Sequence, residues 1–128
     1  MIQKFEDIIA WQKAQDLAVK VYQTFNLTKD YGFKDQICRA AVSVSNNIAE
    51  GFERNSDADF VRFLNYSLGS NSEVKSMLFL ANRLNYISND QKVEFVNQTE
   101  EIAKIIKGLK KSLKKLFPYS PRLLKPQY

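Results

Sequence analysis

The side chains that most often carry out catalysis are scarce in this sequence of 128 residues. It has no histidine and one cysteine, Cys38, so it lacks the commonest general base and the ligands of an ordinary zinc site. Gly51 and Gly69 stand alone, and no glycine-rich phosphate loop is present. Arg39 could activate the Cys38 thiol, but a small residue packed between helices is the favoured interpretation. We therefore expect no enzyme, no metal and no cofactor.

Four carboxylates could be considered as ligands of a hard cation or as an acid–base pair: Glu50, Asp57, Asp59 and Glu73. Di-iron helix bundles use Glu-x-x-His pairs, which a chain without histidine cannot supply. A structural role is favoured, because buried charges are tolerated only when they are paired and hydrogen-bonded. We predict one polar network, buried or at a subunit interface, made of Arg39, Asn47, Glu50, Arg54 and Glu73.

Basic residues are concentrated towards the C-terminal end. All 14 acidic residues lie at or before Glu101, and only basic charges follow from Lys104 onwards. This asymmetry predicts an anionic partner. The alternative is a solvated helix face whose lysines favour the helix C-terminus, but the helix dipole acts only over the last turn. The predicted nucleic-acid-binding residues, called the basic face below, are Lys104, Lys107, Lys110, Lys111, Lys114 and Lys115.

Hydrophobic periodicity predicts four helices that would position these residues, at about 7–26, 33–54, 57–85 and 90–117. Asp7 is the predicted N-cap of the first helix, and Trp11 is assigned to its core stripe. Ser56 and Ser88 begin capping boxes. Four amphipathic helices with short loops predict an all-α, up-down-up-down four-helix bundle over residues 1–117, followed by an extended tail over 118–128.

The fourth helix carries a heptad seam typical of near-parallel helix packing, formed by Phe95, Thr99, Ile102, Ile106, Leu109, Leu113 and Leu116. The third helix is apolar over more of its circumference than one core contact needs. A wide core contact would explain this surplus, but a subunit contact is the favoured interpretation. The predicted oligomer interface consists of Tyr66, Met77, Leu80 and Leu84.

No targeting or membrane segment is expected. The first fifteen residues carry four charges and no continuous apolar stretch, which is unlike a signal peptide. The longest apolar run, 77–81, is far shorter than the roughly 20 residues of a membrane span. A single cysteine cannot form an internal disulfide, so we predict a cytoplasmic protein without a membrane partner.

Several of these residues form a recognisable pattern. The first helix opens with Phe5-Glu6-Asp7 and Trp11-Gln12-Lys13-Ala14, and the second contains Gln36-Ile37-Cys38-Arg39-Ala40-Ala41-Val42-Ser43-Val44 and Asn47-Ile48-Ala49-Glu50-Gly51. Together with Arg54, Phe60, Phe63-Leu64, Gly69-Ser70 and Glu73, the pattern resembles the bacterial four-helix-bundle proteins encoded in intervening sequences of 23S rRNA genes. The resemblance covers about Phe5 to Leu116, and the tail from Ser120 inherits nothing from it.

The resemblance implies a homo-oligomeric ring, a pentamer. A relative of that family, the accessory variability protein of diversity-generating retroelements, binds nucleic acid and a reverse transcriptase. The expected partners are therefore other copies of the chain, RNA or DNA, and another protein such as a reverse transcriptase.

Two functional hypotheses follow from the sequence. The first is a non-enzymatic oligomer that binds nucleic acid, RNA in particular, through the basic face. The alternative is a protein–protein interaction or scaffold module that does not bind nucleic acid directly and whose lysines only confer solubility. Salt-dependent binding to a generic RNA would distinguish the two hypotheses.

Overall fold

The computed structural model describes residues 2–116, with side chains through residue 114, and shows four α-helices. A 3₁₀ turn, Phe5–Asp7, precedes them. The helices are α1 (Ile9–Thr24), α2 (Tyr31–Phe52), α3 (Asp57–Arg83) and α4 (Asn89–Leu116). No strand occurs within the described range, which confirms the all-α prediction. The predicted tail over 118–128 lies outside the described residues.

The four helices form a closed, four-sided bundle. Each helix packs against its sequence neighbours, and α1 also packs against α4, whereas the two diagonal pairs make no close backbone contact over residues 2–116. Two ion pairs show that α1 and α4 are antiparallel, because Lys13 meets Glu101 while Lys20, further along α1, meets Glu94. The up-down-up-down bundle predicted from short loops is therefore confirmed.

The heptad seam of α4 forms one wall of the core. Its described members, from Phe95 to Leu113, are all at most 1% exposed, as the seam predicted. Ile2 and Ile8 are also buried and extend the core beyond the N-terminal end of the shorter helix α1. Trp11 is only partly buried, and it packs against Phe5 with 5.4 Å between ring centroids. It therefore borders the core instead of filling it as predicted.

Local capping fixes most helix starts. Ser56 accepts a hydrogen bond from the Asp59 amide, and Ser88 and Gln91 form a reciprocal capping box, as predicted. The predicted Asp7 cap is wrong. The N-cap of α1 is Ile8 without a side-chain cap, because the 3₁₀ turn and the burial of Ile8 determine how the chain enters the helix.

Helices α2 and α3 are in close contact at Gly51. A Cβ atom added there would lie 2.6 Å from the Cβ atom of Phe63, and this clash could be relieved only by backbone movement. Gly69, in the middle of α3, has no atom within 4 Å of an added Cβ. The first glycine is therefore required by packing inside the subunit, and the second is not.

We expect Gly51→Ala to lower the free energy of unfolding by about 1–3 kcal/mol through overpacking. Gly69→Ala is the matched control and should raise it by about 0.5–1 kcal/mol, since alanine favours a helix more than glycine does. Urea unfolding at one fixed protein concentration measures both. Equal effects of the two substitutions would contradict the assigned helix contact.

A polar tie joins the α1–α2 loop to the α3–α4 loop. The Tyr86 hydroxyl donates to Asp30 at 2.7 Å, and Asp30 also caps α2 by accepting from the Phe33 amide at 3.1 Å. These two hydrogen bonds hold the pKa of the Asp30 carboxyl below its usual range. The bond from Tyr86 has the larger effect, and the bond from the Phe33 amide the smaller. Asn85 adopts a positive φ of 62° beside this tie, a conformation that asparagine tolerates better than most residues.

A depressed carboxyl pKa contributes stability above the unfolded-state pKa, and that contribution is lost as pH falls through the folded-state pKa. We therefore expect Tyr86→Phe to lower the free energy of unfolding near neutral pH and to lower it less at about pH 3. Tyr31→Phe serves as the control, because Tyr31 is 67% exposed. Urea titrations at the two pH values measure the effect. If Tyr86→Phe lowers the free energy of unfolding equally at both pH values, the hydrogen bond from Tyr86 does not stabilise the ionised Asp30.

Candidate nucleic-acid interface

The basic face lies on the side of α4 that points away from the core. Lys104, Lys107, Lys111 and Lys114 are exposed, and Lys110 is half-buried beside them. The side chain of Lys115 lies outside the described residues. At 1.5 Å per residue, the exposed lysines extend over about 15 Å. Four of the five described lysines, Lys107, Lys110, Lys111 and Lys114, line one shallow surface depression.

These lysines have no ion-pair partners in the described part of the chain, in contrast to basic residues nearby. Lys13 pairs with Glu101 at 3.1 Å, Lys20 with Glu94 at 2.6 Å, and Lys75 with Glu100 at 3.4 Å. The acidic partners all belong to the part of α4 that precedes Lys104. Lys107, Lys110, Lys111 and Lys114 have no carboxylate within one turn on α4, and Glu100 and Glu101, which lie one turn from Lys104, pair with Lys75 and Lys13 instead. Their charge remains available to an external anion.

The basic face borders a notch between α3 and α4, with a cavity volume of about 270 Å³. Three cationic side chains line it, namely Lys75, Lys104 and Lys107. Its other described lining residues are Asn71, Ser72, Thr99, Glu100 and Ala103. The notch thus combines positive charge with hydrogen-bonding groups at one point along the basic face.

Asn71, which lines this notch, is 3% exposed and only half satisfied. Its Nδ2 atom donates to the Thr99 carbonyl oxygen at 2.8 Å, whereas its Oδ1 atom has no hydrogen-bond partner among the described residues. An unpartnered buried acceptor costs about 1–3 kcal/mol. Asn71 is not among the residues predicted from the sequence. The available signal was an amide that shares a helical stripe with the buried residues Val74 and Leu78.

The predicted polar network does not exist as one unit within the subunit. Arg39 and Arg54 are about 22 Å apart along α2, so each residue of the set meets only local partners. Arg54 and Glu50 form an exposed ion pair at 3.7 Å. Glu73 accepts from Gln36 at 3.2 Å, and Asn47 donates to Ser43. The prediction of a single buried network inside the chain is therefore wrong.

These residues instead form an exposed polar strip along the outer side of α2 and α3. Arg39 and Glu73 line one surface groove but form no ion pair in the described structure. The Arg54 guanidinium lies over the Phe63 ring, 4.6 Å from its centroid. The Ser70 hydroxyl donates to the Ser43 hydroxyl at 2.9 Å and links the two helices. This strip lies beside the predicted interface on α3.

Three of the four predicted interface residues are exposed on α3: Tyr66 at 48%, Leu80 at 45% and Leu84 at 44%. Met77 is only 9% exposed and belongs to the core. It was assigned to the wrong surface because helical spacing does not show how far the neighbouring helix covers a stripe. The exposed apolar residues of α3 are therefore Tyr66, Phe79 and Leu80, and its C-cap residue Leu84 is counted with them.

The one cysteine is buried, and desolvation is the largest influence that raises the pKa of its thiol. This environment favours the packed, neutral thiol over a reactive thiolate. No group of three or more potential ligand residues that could hold a metal ion occurs within the described range. Among the described helices, none is both long enough and apolar enough to cross a membrane.

Comparison with known proteins identifies the family. The family described as 23S rRNA-intervening sequence protein matches residues 6–108. This chain belongs to that family. A solved structure of a protein with unknown function from the S23 ribosomal protein family of Bacteroides thetaiotaomicron VPI-5482 has 30% sequence identity to it and a TM-score of 0.75. The similarity covers 80% of this chain and 99% of that chain. No curated protein matches.

The region that matches the family contains only part of the basic face. Lys104 and Lys107, together with all the lining residues of the notch, lie inside the matched region 6–108, as do the polar strip and the exposed apolar residues of α3. Lys110, Lys111 and Lys114 lie beyond it. The notch therefore belongs to the part of the fold that defines the 23S rRNA-intervening sequence protein family, and the basic face continues past that part.

Proposed function

We propose that this member of the 23S rRNA-intervening sequence protein family is a non-enzymatic homo-oligomer that binds RNA through the basic face of α4. The observation that supports this most strongly is the row of lysines without ion-pair partners in the described structure. Clustered, unpaired cations attract the phosphate backbone and release its counterions. The name of the family links its members to intervening sequences of 23S rRNA.

The residue types of this face favour backbone contacts over base reading. Lysine is a compact point charge, whereas bidentate recognition of guanine is best made by arginine. The segment from Lys104 to Lys114 contains no arginine and no aromatic residue on which a base could stack. Binding of this kind depends on salt and varies little with sequence.

Oligomerisation is the second part of the proposal. Tyr66 and Leu80 of α3, together with its C-cap residue Leu84, form an exposed apolar surface. Burial of such a surface in a subunit contact would remove it from water. A pentameric ring, which the resemblance implies, would repeat the basic face around an axis and increase avidity for a long RNA.

The absence of catalysis is also part of the proposal. The sequence lacks histidine, and its buried cysteine has a raised thiol pKa, so the residues that most often act as base or nucleophile do not support an active site. A reduced, unpaired thiol fits the predicted cytoplasmic location.

An alternative function is a scaffold that binds another protein, such as a reverse transcriptase, without contacting nucleic acid. The same exposed apolar residues of α3 would then contact that protein. We favour nucleic-acid binding because a protein contact of this kind offers no reason for the row of unpaired lysines on α4.

Replacing the four exposed lysines with glutamine tests the basic face. The quadruple variant Lys104→Gln, Lys107→Gln, Lys111→Gln and Lys114→Gln should bind RNA more weakly and flatten the plot of log affinity against log salt. The slope should decrease by about 0.7–0.9 per lost phosphate contact. Affinities for unrelated sequences should fall about equally, because lysine reads charge and not bases. Filter binding over a salt series measures both effects.

A control variant removes the same amount of charge elsewhere, with glutamine in place of Lys4, Lys29, Lys34 and Arg83. It should retain more affinity and a steeper salt slope than the quadruple variant on α4. Equal losses in the two variants would show that net charge alone governs binding. An unchanged quadruple variant would place the binding site elsewhere.

The double variant Leu80→Glu and Leu84→Glu tests the subunit contact. It should reduce the mass in solution to the 14.8 kDa monomer and leave helix content unchanged, because both side chains are exposed within the subunit and unpaired charge is costly in a contact. Val93→Glu, at a residue that is 53% exposed on α4, is the control. Light scattering provides the measurement. A monomeric parent would contradict the proposed oligomer.

A further inference from the structure

The notch between α3 and α4 differs from the rest of the basic face because it contains an unsatisfied group as well as charge. The Oδ1 atom of Asn71 has no partner among the described residues, although Asn71 is 97% removed from solvent. The Nδ2 atom of the same amide donates to the Thr99 carbonyl oxygen at 2.8 Å. This bond identifies which terminal atom of the amide is the oxygen, since the reverse assignment would place two acceptors against each other.

Two other buried polar side chains of these helices, Ser67 and Thr99, have hydrogen-bond partners. The Ser67 hydroxyl donates to the Val44 carbonyl oxygen at 2.7 Å, and the Thr99 hydroxyl donates to the Val96 carbonyl oxygen at 2.7 Å. A buried acceptor without a partner is uncommon and calls for a donor from outside the chain. The Oδ1 atom does not touch solvent in this conformation, so a small rotation of the Asn71 side chain towards the notch must accompany binding.

The residues around the Oδ1 atom of Asn71 restrict the chemical class of ligand that could bind in the notch. Lys104 and Lys107 line the notch together with Asn71, so an anion and a hydrogen-bond donor must be close together in the ligand. An RNA strand has this combination in every nucleotide, because its ribose 2′-hydroxyl lies near the backbone phosphates, whereas DNA lacks that hydroxyl.

We propose that the notch seats one nucleotide of a single-stranded RNA, with its phosphate against Lys104 and Lys107 and its 2′-hydroxyl donating to the Oδ1 atom of Asn71. The inference rests on the proposed function and adds a means of distinguishing RNA from DNA. Lys75 contributes a third cation, partly neutralised by Glu100 at 3.4 Å. Base identity plays no part, so the preference is for the sugar alone.

The proposed RNA preference is tested by measuring how the parent protein binds three fluorescently labelled oligouridine strands. Each strand has about 12 nucleotides, a length within the range of single-strand binding sites. One strand is RNA, the second is its 2′-deoxy counterpart, and the third carries 2′-fluorine, which cannot donate a hydrogen bond. Fluorescence anisotropy at one salt concentration gives the affinities. RNA should bind about tenfold more tightly than either of the other two strands.

Two variants test whether the preference for RNA over DNA depends on Asn71. Asn71→Leu keeps the approximate shape but removes the acceptor, and it should bind all three strands with the affinity that the parent shows for the deoxy strand. Ser67→Ala is the matched control, because it removes a buried polar group of the same helix that bonds the Val44 carbonyl oxygen and is not among the described lining residues of the notch. It should retain the full preference. Circular dichroism verifies that both variants are folded.

The outcomes separate this inference from the function on which it rests. Equal binding of the three strands by the parent would overturn the inference and leave backbone binding intact. A preference that persists in folded Asn71→Leu would exclude Asn71 as its source. If Asn71→Leu does not fold, the affinities of the parent protein for the RNA and 2′-fluoro strands still show whether a 2′-hydroxyl donor is recognised. No binding of any strand at low salt would overturn both proposals.

Discussion

The burial of one face of α4 is the constraint on which the rest of the structure depends. From Phe95 to Leu113, the seam residues of this helix are almost completely removed from water, and α1 and α3 pack against either side of it. Burial of the apolar side chains of this seam is worth about 25 cal/mol for each Å² removed from water. The rotation of α4 about its own axis is therefore fixed, and with it the direction in which each lysine points.

Charge along α4 then divides its exposed surface into two parts. In the first half, Glu94, Glu100 and Glu101 each neutralise a basic residue of a neighbouring helix. These exposed pairs contribute little stability individually, but they occupy the acidic side chains. In the second half there are no acidic residues, so the lysines face solvent unneutralised. An asymmetry that is visible in the sequence thereby becomes a positively charged face of defined position.

Periodicity and capping predicted the fold well, because both depend on local physics. The four helices, the seam of α4, the capping box at Ser88 and the N-cap at Ser56 are confirmed. The burial of a side chain could be predicted less well where it depends on how a neighbouring part of the chain packs against it. Met77 and Leu80 have similar positions on a helical projection, yet only Met77 is covered. The start of α1 depends on the burial of Ile8, which a local cap signal at Asp7 did not reveal.

The candidate site shows the same limit. The lysines of the basic face could be found from sequence, because charge and helical spacing suffice to place them on one side of α4. The notch could not be found in this way, because it joins Asn71 and Lys75 of α3 to residues of α4 that are distant in sequence. The polar strip was mistaken for a single network because residue spacing on α2 gives a shared face but not a shared contact.

The central claim is that unneutralised lysines on α4 bind the RNA backbone. The most direct test is the salt dependence of the affinity of the parent protein for two single-stranded RNAs of unrelated sequence. Three or four phosphate contacts per subunit predict a linear fall of log affinity with log salt, with a slope of about −2 to −3 for both strands. A slope near zero, or slopes that differ greatly between the two sequences, would contradict it.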